Sequence, residues 1–151
     1  MNFDNFTIKS QEAVQEAVNL VQRKGQQQIE PEHLLAGVLK VSEHVTNFIF
    51  QKLGMRAQSI EAVLDRQIAS LPQVSGGEPY LSRTSNEVLQ KANHYASESG
   101  DQFVSVESII LALLTVDSTA SKILKDAGMT ERELRAAIQE LRQGNKVTSP
   151  S

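Results

Sequence analysis

The stretch GQQQIEPEHLLAGVL, residues 25–39, recurs 75 positions later as GDQFVSVESIILALL, residues 100–114. Sliding residues 7–40 by 75 positions gives eight identities among 34 positions, whereas composition alone would give about two. The identical pairs are Ser10/Ser85, Glu12/Glu87, Gln15/Gln90, Ala17/Ala92, Gly25/Gly100, Gln27/Gln102, Glu32/Glu107 and Leu39/Leu114. With an offset of 74, LGM at 53–55 aligns with AGM at 127–129. The chain is therefore a tandem duplication whose second copy has lost one residue.

Apolar residues in each copy recur with the period of helices, which predicts an all-α fold built from two four-helix repeats, about eight helices in total, related by a pseudo-twofold axis. Thr7 and Ser82 stand where the first helix of each copy needs an N-cap. Gly25 and Gly100 stand where that helix should end. The quoted stretch then starts a second helix, which is apolar almost all round and should be central and buried.

The remaining helices and the boundaries follow from the same alignment. The third helix of each copy is expected at about 44–52 and 119–127, and the fourth at about 56–71 and 131–142. Prolines and paired glycines break the chain between the copies. The predicted division is a domain over residues 1–143, with repeat one at about 5–71, a linker at 72–81, repeat two at 82–143, and the start of a flexible linker at 144–151.

Composition excludes several classes of function. The chain has no cysteine, which excludes a disulfide framework, a thiolate zinc site and cysteine catalysis. The net charge is −3 and neither half is basic, so we expect no nucleic-acid partner. The N-terminus lacks the pattern of a signal peptide, and no stretch approaches 18 apolar residues. We therefore expect no membrane partner, and a reducing cytoplasm fits the composition.

Motifs that carry chemistry are sparse. No phosphate-binding GxxxxGK[ST], zinc-binding HExxH or nucleophilic GxSxG motif occurs in the sequence. His33, His44 and His94 do not have the spacing of metal ligands. We therefore expect no enzymatic activity, no metal and no cofactor in this domain.

Two acidic residues occupy the same position in both copies. Glu32 and Glu107 are each the second residue of the predicted buried helix. Each carboxylate could complement the positive end of its helix, which is worth a few tenths to ~1 kcal/mol. Alternatively, the pair could present two symmetric acidic spots to a cationic partner. Physical chemistry alone favours the first interpretation.

Several apolar residues lie outside the apolar stripes of the predicted helices. Ile8 points away from its stripe, and its equivalent in the second copy is Arg83. Phe103 lies in the GDQF turn, and Tyr80 and Leu81 follow the paired glycines. These side chains either pack under the linker or together form an exposed patch that binds apolar peptide.

The motifs of this chain resemble the N-terminal domain of the Clp family of AAA+ unfoldases, which is a duplicated four-helix repeat. The resemblance runs from FDNFT at residue 3 to LRQG at residue 141. IEPEHLLAGVL, RQIASLPQVSGG, GDQFVSVESIILALL and SKILKDAGM are similar to the ClpB-type disaggregases in particular. The RxxxxLPQVxG linker discriminates best, because the protease-coupled members of the family differ there.

The resemblance implies a substrate-recruiting module with no catalytic site of its own. In the family this domain is tethered ahead of a hexameric ATPase ring, where it captures exposed hydrophobic segments of aggregated or unfolded polypeptides. The ring threads those segments in collaboration with the DnaK chaperone system. The ATP and Mg²⁺ that this requires are bound by the ATPase region.

The resemblance also implies which residues engage substrate. Family positions with that role correspond to Thr7, Asp101 and Glu107, each of which matches in residue type. We expect a peptide groove bounded by the helix ends that carry these residues. Four apolar side chains complete the predicted groove: Ile8, Leu81, Leu89 and Phe103. Leu89 also suits the core.

The alternative is a ClpC-like module that docks phosphoarginine or an adaptor. In ClpC-type relatives both copies carry Thr-Glu-His at the start of the buried helix, and the acidic residues receive phosphorylated arginine. This chain has Pro31-Glu32-His33 in the first copy and Val106-Glu107-Ser108 in the second. Both glutamates are present, but the threonine is missing from both copies and the histidine from the second.

Overall fold

The computed structural model describes residues 2–151, and this part of the chain contains eight α-helices and two very short strands. The helices are α1 (Ile8–Arg23), α2 (Pro31–Val41), α3 (Glu43–Leu53), α4 (Ala57–Ala69), α5 (Arg83–Glu98), α6 (Val106–Thr115), α7 (Thr119–Asp126) and α8 (Glu131–Arg142). The strands are β1 (Gln28–Ile29) and β2 (Tyr80–Leu81). The predicted all-α fold with two four-helix repeats is confirmed, and α1–α4 correspond in order to α5–α8.

The predicted ends of the first helix of each repeat are also confirmed. Thr7 and Ser82 are the N-caps of α1 and α5, and each side-chain oxygen accepts a hydrogen bond of 3.1 Å from the backbone N–H three residues on. After these helices the chain turns at Gly25 and Gly100, whose φ angles of +66° and +76° suit glycine. Local sequence signals therefore set these helix boundaries.

The second helix of each repeat lies at the centre of the molecule. Both α2 and α6 are buried along nearly their whole length, as their apolar sequences predict. In the first repeat α2 approaches α1 so closely that a Cβ on Gly37 would overlap the backbone carbonyl of Ala13. The equivalent residue of α6 is Ala112, so only the first repeat depends on this close approach.

The two repeats pair with each other through short extended segments. β1 and β2 pair in parallel, and an isolated parallel bridge forms at the symmetric place. The paired residues are Gln28/Tyr80, Ile29/Leu81 and Phe6/Val104. Phe6 is equivalent to Leu81, 75 positions later, and Val104 is equivalent to Ile29, 75 positions earlier. The Phe6/Val104 bridge and the Leu81/Ile29 pair are therefore related by the pseudo-twofold axis. Helix packing follows the same symmetry, because α3 packs on α8 and α4 packs on α7.

Sequence analysis did not predict these strands. Residues 80–81 fall at the end of the expected linker, and a two-residue strand is too short to show an alternating pattern. The rest of the linker, from Pro72 to Pro79, forms no helix or strand, as expected.

A buried polar relay joins the start of α2 to the end of α4. The His33 side chain is fully buried, and its Nδ1 accepts a hydrogen bond of 2.9 Å from the backbone N–H of Glu30. Because Nδ1 is an acceptor, Nε2 carries the proton and donates to Gln26 Oε1 at 2.7 Å. Gln26 Nε2 in turn donates to the Ile68 carbonyl at 2.7 Å.

Burial lowers the pKa of His33 to about 4, whereas an unfolded histidine has a pKa of about 6.5. The unfolded chain therefore takes up the proton first as the pH falls. The His33 contribution to stability is complete above about pH 6.5 and is lost as the pH falls towards 4.

We predict that acidification from pH 7 to pH 5 removes about 2 kcal/mol of unfolding free energy through His33. His33→Asn retains an acceptor near the Glu30 N–H but cannot titrate, so its pH dependence should be weaker by about that amount. Urea denaturation of both proteins at pH 5, 6 and 7 measures the difference. Glu32 contributes with the opposite sign, because its pKa is raised by burial, but it is common to both proteins. Equal slopes would contradict the prediction.

Candidate functional site

A groove with a volume of about 790 Å³ opens between the starts of α1 and α6 and the junction of α2 with α3. We call it the α1 groove. It is lined by Thr7, Ile8, Lys9, Lys40, Val41, Ser42, Glu43, His44, Val45, Ser105, Val106, Glu107, Val147 and Ser151. Most of its exposed lining is apolar. Of the predicted site residues, the structure therefore brings together Thr7, Ile8 and Glu107.

Ile8 is the apolar side chain that the groove presents most openly. It is 49% exposed, although it is the first residue of α1 and a branched aliphatic side chain. Val74 and Tyr80 are comparably exposed but lie in the linker between the repeats, outside the α1 groove. An unused apolar group beside a groove of this size is typical of a binding surface for apolar ligands.

Thr7 already has a structural role at the edge of the groove. Its side chain is almost buried, caps α1 as described and donates a hydrogen bond of 2.9 Å to Ser10 Oγ. Its backbone N–H donates to the Val104 carbonyl at 3.0 Å. The structure therefore places Thr7 where it positions the start of α1 beside the start of α6.

Arg142, at the end of α8, holds both carboxylates of the predicted site. Its Nη1 donates to Asp101 Oδ2 at 2.6 Å, its Nε donates to Glu107 Oε2 at 3.0 Å, and its Nη2 donates to Ser105 Oγ at 2.7 Å. The Asp101 side chain is 0% exposed, and those of Arg142 and Glu107 are nearly buried. Glu107 is thus neutralised within the domain, and Asp101 does not line the groove.

Burial alone would lower the pKa of Arg142. The hydrogen bond to Asp101 and the charge of Glu107 outweigh that effect, so the pKa of Arg142 lies above its ordinary value. The guanidinium is therefore a permanent cation between two carboxylates. Sequence analysis missed this residue as a site component because its partners lie 35 and 41 positions away.

Glu32, the equivalent of Glu107 in the first repeat, has no such partner among residues 2–151. It lies buried at the start of α2 and does not line the α1 groove. Burial, with a contribution from the charge of Glu30, raises the pKa of Glu32 above its ordinary range. The two glutamates are therefore equivalent in sequence but not in environment.

The structure does not place the other three apolar candidates in the α1 groove. Leu89 is 0% exposed and packs in the core, as its position on the apolar stripe of α5 allows. Leu81 belongs to β2 and packs against the core. Phe103 is partly buried in the turn before α6 and is absent from the groove lining.

The α2–α3 junction contributes to the groove but shows no signal in the sequence. Ser42 occupies the N-cap position of α3, yet its side chain makes no capping hydrogen bond. Its buried Oγ has no hydrogen-bond partner within residues 2–151. Ser42 thus places in this wall of the groove a polar group that no described residue satisfies.

The segment after α8, which we call the tail, lies against the same region. Residues 144–151 form no helix or strand, as their composition predicts. They are nevertheless attached to the domain, because Gln102 N donates to the Val147 carbonyl at 2.7 Å and Ile8 N donates to the Pro150 carbonyl at 2.6 Å. Val147 and Ser151 consequently line the α1 groove.

Residues 5–127 match the family described as the Clp repeat (R) N-terminal domain. The chain belongs to this family. Clp N-terminal domains are non-catalytic modules, so membership confirms the expectation that this domain is not itself an enzyme.

Clp chaperones are also the relatives that the chain resembles in sequence. It is 74% identical over 151 residues to the chaperone protein ClpB of Bacteroides thetaiotaomicron and 54% identical over 151 residues to that of Porphyromonas gingivalis. All of this chain is covered in both comparisons, but it spans only 18% of the length of each relative.

Solved structures of Clp N-domains share the fold. The N-terminal domain of Hsp104 from Candida albicans superposes with a TM-score of 0.87 at 23% identity, covering 98% of each chain. The N-terminal domain of the ClpV1 ATPase from E. coli EAEC gives a TM-score of 0.81 at 18% identity, covering 99% of this chain and 93% of that one. At these identities the likeness extends to the fold alone.

Over residues 2–151 of this Clp N-domain, no three His, Asp or Glu side chains are grouped as a metal site. No helix in the same range is long and apolar enough to cross a membrane.

We predict that Arg142→Ala lowers the free energy of unfolding by about 3–5 kcal/mol, because it leaves the buried Asp101 and Glu107 carboxylates without their cation. Arg132→Ala, at an exposed position on the same helix, is the matched control and should change stability by less than ~0.5 kcal/mol. Urea denaturation at pH 7 measures both. Similar small losses for the two variants would show that the cluster behaves like a surface ion pair.

Proposed function

We propose that this chain is the substrate-recruiting N-terminal module of a ClpB-type ATP-dependent protein disaggregase in the cytoplasm. The module captures exposed hydrophobic segments of aggregated or unfolded proteins and passes them to a hexameric AAA+ ring. ATP and Mg²⁺ act in the ATPase region of that ring, and the DnaK chaperone system cooperates with it. Membership of the Clp N-domain family and the ClpB relatives support the placement within such a chaperone.

The α1 groove is the proposed capture site, and the exposed Ile8 beside it carries the proposal. Apolar surface that is left in water costs about 25 cal/mol per Å² relative to burial, so an apolar segment that covers Ile8 gains free energy. Val41, Val45 and Val106 line the same groove and extend the apolar surface. In the wall of the groove, Thr7 fixes the start of α1 and the Glu107–Arg142 ion pair fixes the start of α6.

The geometry gives less support to phosphoarginine docking. That function requires acidic groups that are free to receive a guanidinium, but Glu107 already pairs with Arg142 at 3.0 Å. Glu32 is free of an ion pair among the described residues but is buried outside the α1 groove. Hydrophobic capture is therefore the function that the arrangement of side chains supports best.

We predict that Ile8→Arg weakens binding of an unfolded apolar polypeptide about tenfold or more, because it removes the exposed apolar side chain and adds a charge that must be desolvated. The substitution should leave the fold intact, since Arg83 occupies the equivalent position at the start of α5. Fluorescence anisotropy with labelled, reduced and carboxymethylated α-lactalbumin measures the dissociation constants.

Val74→Arg is the matched control, because Val74 is 46% exposed, nearly the same fraction as Ile8, but lies outside the groove. It should bind like the original chain. Amide chemical shifts recorded during the titration should change around Thr7, Ile8 and Val106. Equal weakening by both substitutions, or shifts clustered instead near Glu32, would overturn the proposal for the α1 groove.

A further inference from the structure

We infer that the tail segment Val147–Pro150 competes with incoming peptide for the α1 groove. An extended peptide must displace the tail in order to bind there. This inference rests on the proposed function, because it concerns the regulation of the same site. It follows from the hydrogen bonds that hold the tail, from the side chain it contributes to the groove, and from how little else attaches it.

The tail is held mainly through its backbone. The Val147 carbonyl accepts from Gln102 N at 2.7 Å, and Val147 N donates to Asp101 Oδ1 at 3.0 Å. Three residues on, the Pro150 carbonyl accepts from Ile8 N at 2.6 Å. These contacts do not depend on which side chains the tail carries, so the backbone of an extended peptide can form the same bonds.

The backbone N–H of Ile8 is the donor that favours binding of an extended chain at the start of α1. Ile8 is the first residue of α1, and the first N–H groups of a helix have no partner within the helix. A carbonyl oxygen delivered from outside satisfies this donor and interacts favourably with the positive end of the helix. The tail supplies that oxygen now, and a bound peptide supplies it after displacement.

The position of Val147 makes the tail a competitor and not merely a neighbour. Its side chain is partly buried and lines the α1 groove together with Ile8. The other residues of the segment, Thr148, Ser149 and Pro150, have exposed side chains. One apolar side chain and three main-chain hydrogen bonds are thus the main attachment, which suits a segment that is released readily.

The consequence is an apparent affinity that depends on the tail. If the tail holds the Ile8 N–H most of the time, the measured dissociation constant of a peptide that uses this donor is the intrinsic constant divided by the fraction of molecules in which the donor is free. A variant that releases the tail should therefore bind more tightly without any new contact to the peptide.

The test compares Val147→Asp with Thr148→Asp in the 151-residue chain. A carboxylate at position 147 would stand in the groove lining that also contains Glu107, on the residue whose backbone N–H bonds Asp101, so repulsion and desolvation should expel the tail. A carboxylate at the exposed position 148 adds the same charge without entering the groove. The probe is again labelled, reduced and carboxymethylated α-lactalbumin, and amide hydrogen exchange at Ile8 and Gln102 reports on tail release.

We expect Val147→Asp to bind the probe about three- to tenfold more tightly than the original chain, with faster exchange at both amides. Thr148→Asp should resemble the original chain in both measurements. If Val147→Asp accelerates exchange but binds equally or more weakly, the competitor role is overturned while groove binding stands. If neither the original chain nor the variants bind the probe, the proposed function fails and this inference fails with it.

Discussion

The exchange of short extended segments between the two repeats fixes the position of each repeat's first helix relative to the other repeat's second helix. Thr7, at the start of α1, donates its backbone N–H to the Val104 carbonyl of the other repeat at 3.0 Å. Ser82, at the start of α5, donates in the same way to the Ile29 carbonyl at 3.1 Å. The start of each repeat's first helix is therefore fixed beside the start of the other repeat's second helix. Neither repeat alone would satisfy these groups, so the α1 groove exists only in the duplicated chain.

The two repeats use different chemistry to connect the same pair of elements. In the second repeat Asp101, after α5, holds Arg142 at the end of α8 through a charged hydrogen bond. In the first repeat the equivalent positions are Gln26 and Ile68, which are joined by a neutral hydrogen bond to a backbone carbonyl. His33 completes the neutral relay. Since ions and neutral amides respond differently to pH and salt, the two halves of a symmetric fold differ in what destabilises them.

The sequence predicts the parts of this structure whose causes are local. An N-cap bond spans three residues and a helical stripe spans a few turns, so Thr7, Gly25 and the buried second helices were all predictable. Leu89 shows the limit, because sequence analysis placed it in the predicted groove although its position on the apolar stripe also suits the core. Only the packed structure shows that the side chain is completely buried.

Long-range contacts account for what sequence analysis missed. The partners of Arg142 lie in a different helix and a different turn, and no periodicity connects them. Composition identified residues 144–151 as a segment without regular structure, but it says nothing about main-chain hydrogen bonds, which every residue except proline can donate. The attachment of the tail at Val147 and Pro150 could therefore be recognised only from the structure.

Duplication creates two equivalent corners, which are the surfaces around the first residues of α1 and α5, but only the corner at α1 is apolar. The corner at α1 presents Ile8, whereas the equivalent corner at α5 presents Arg83, whose side chain is 95% exposed and faces Glu87 at 3.8 Å. An apolar segment gains burial at the first corner but would have to displace hydrated charges at the second. In the proposed function the domain therefore holds one segment at a time. Recognition through a few branched side chains and main-chain donors depends little on sequence, so this proposal implies broad and modest affinity and ready release of the captured segment to a partner that pulls on it.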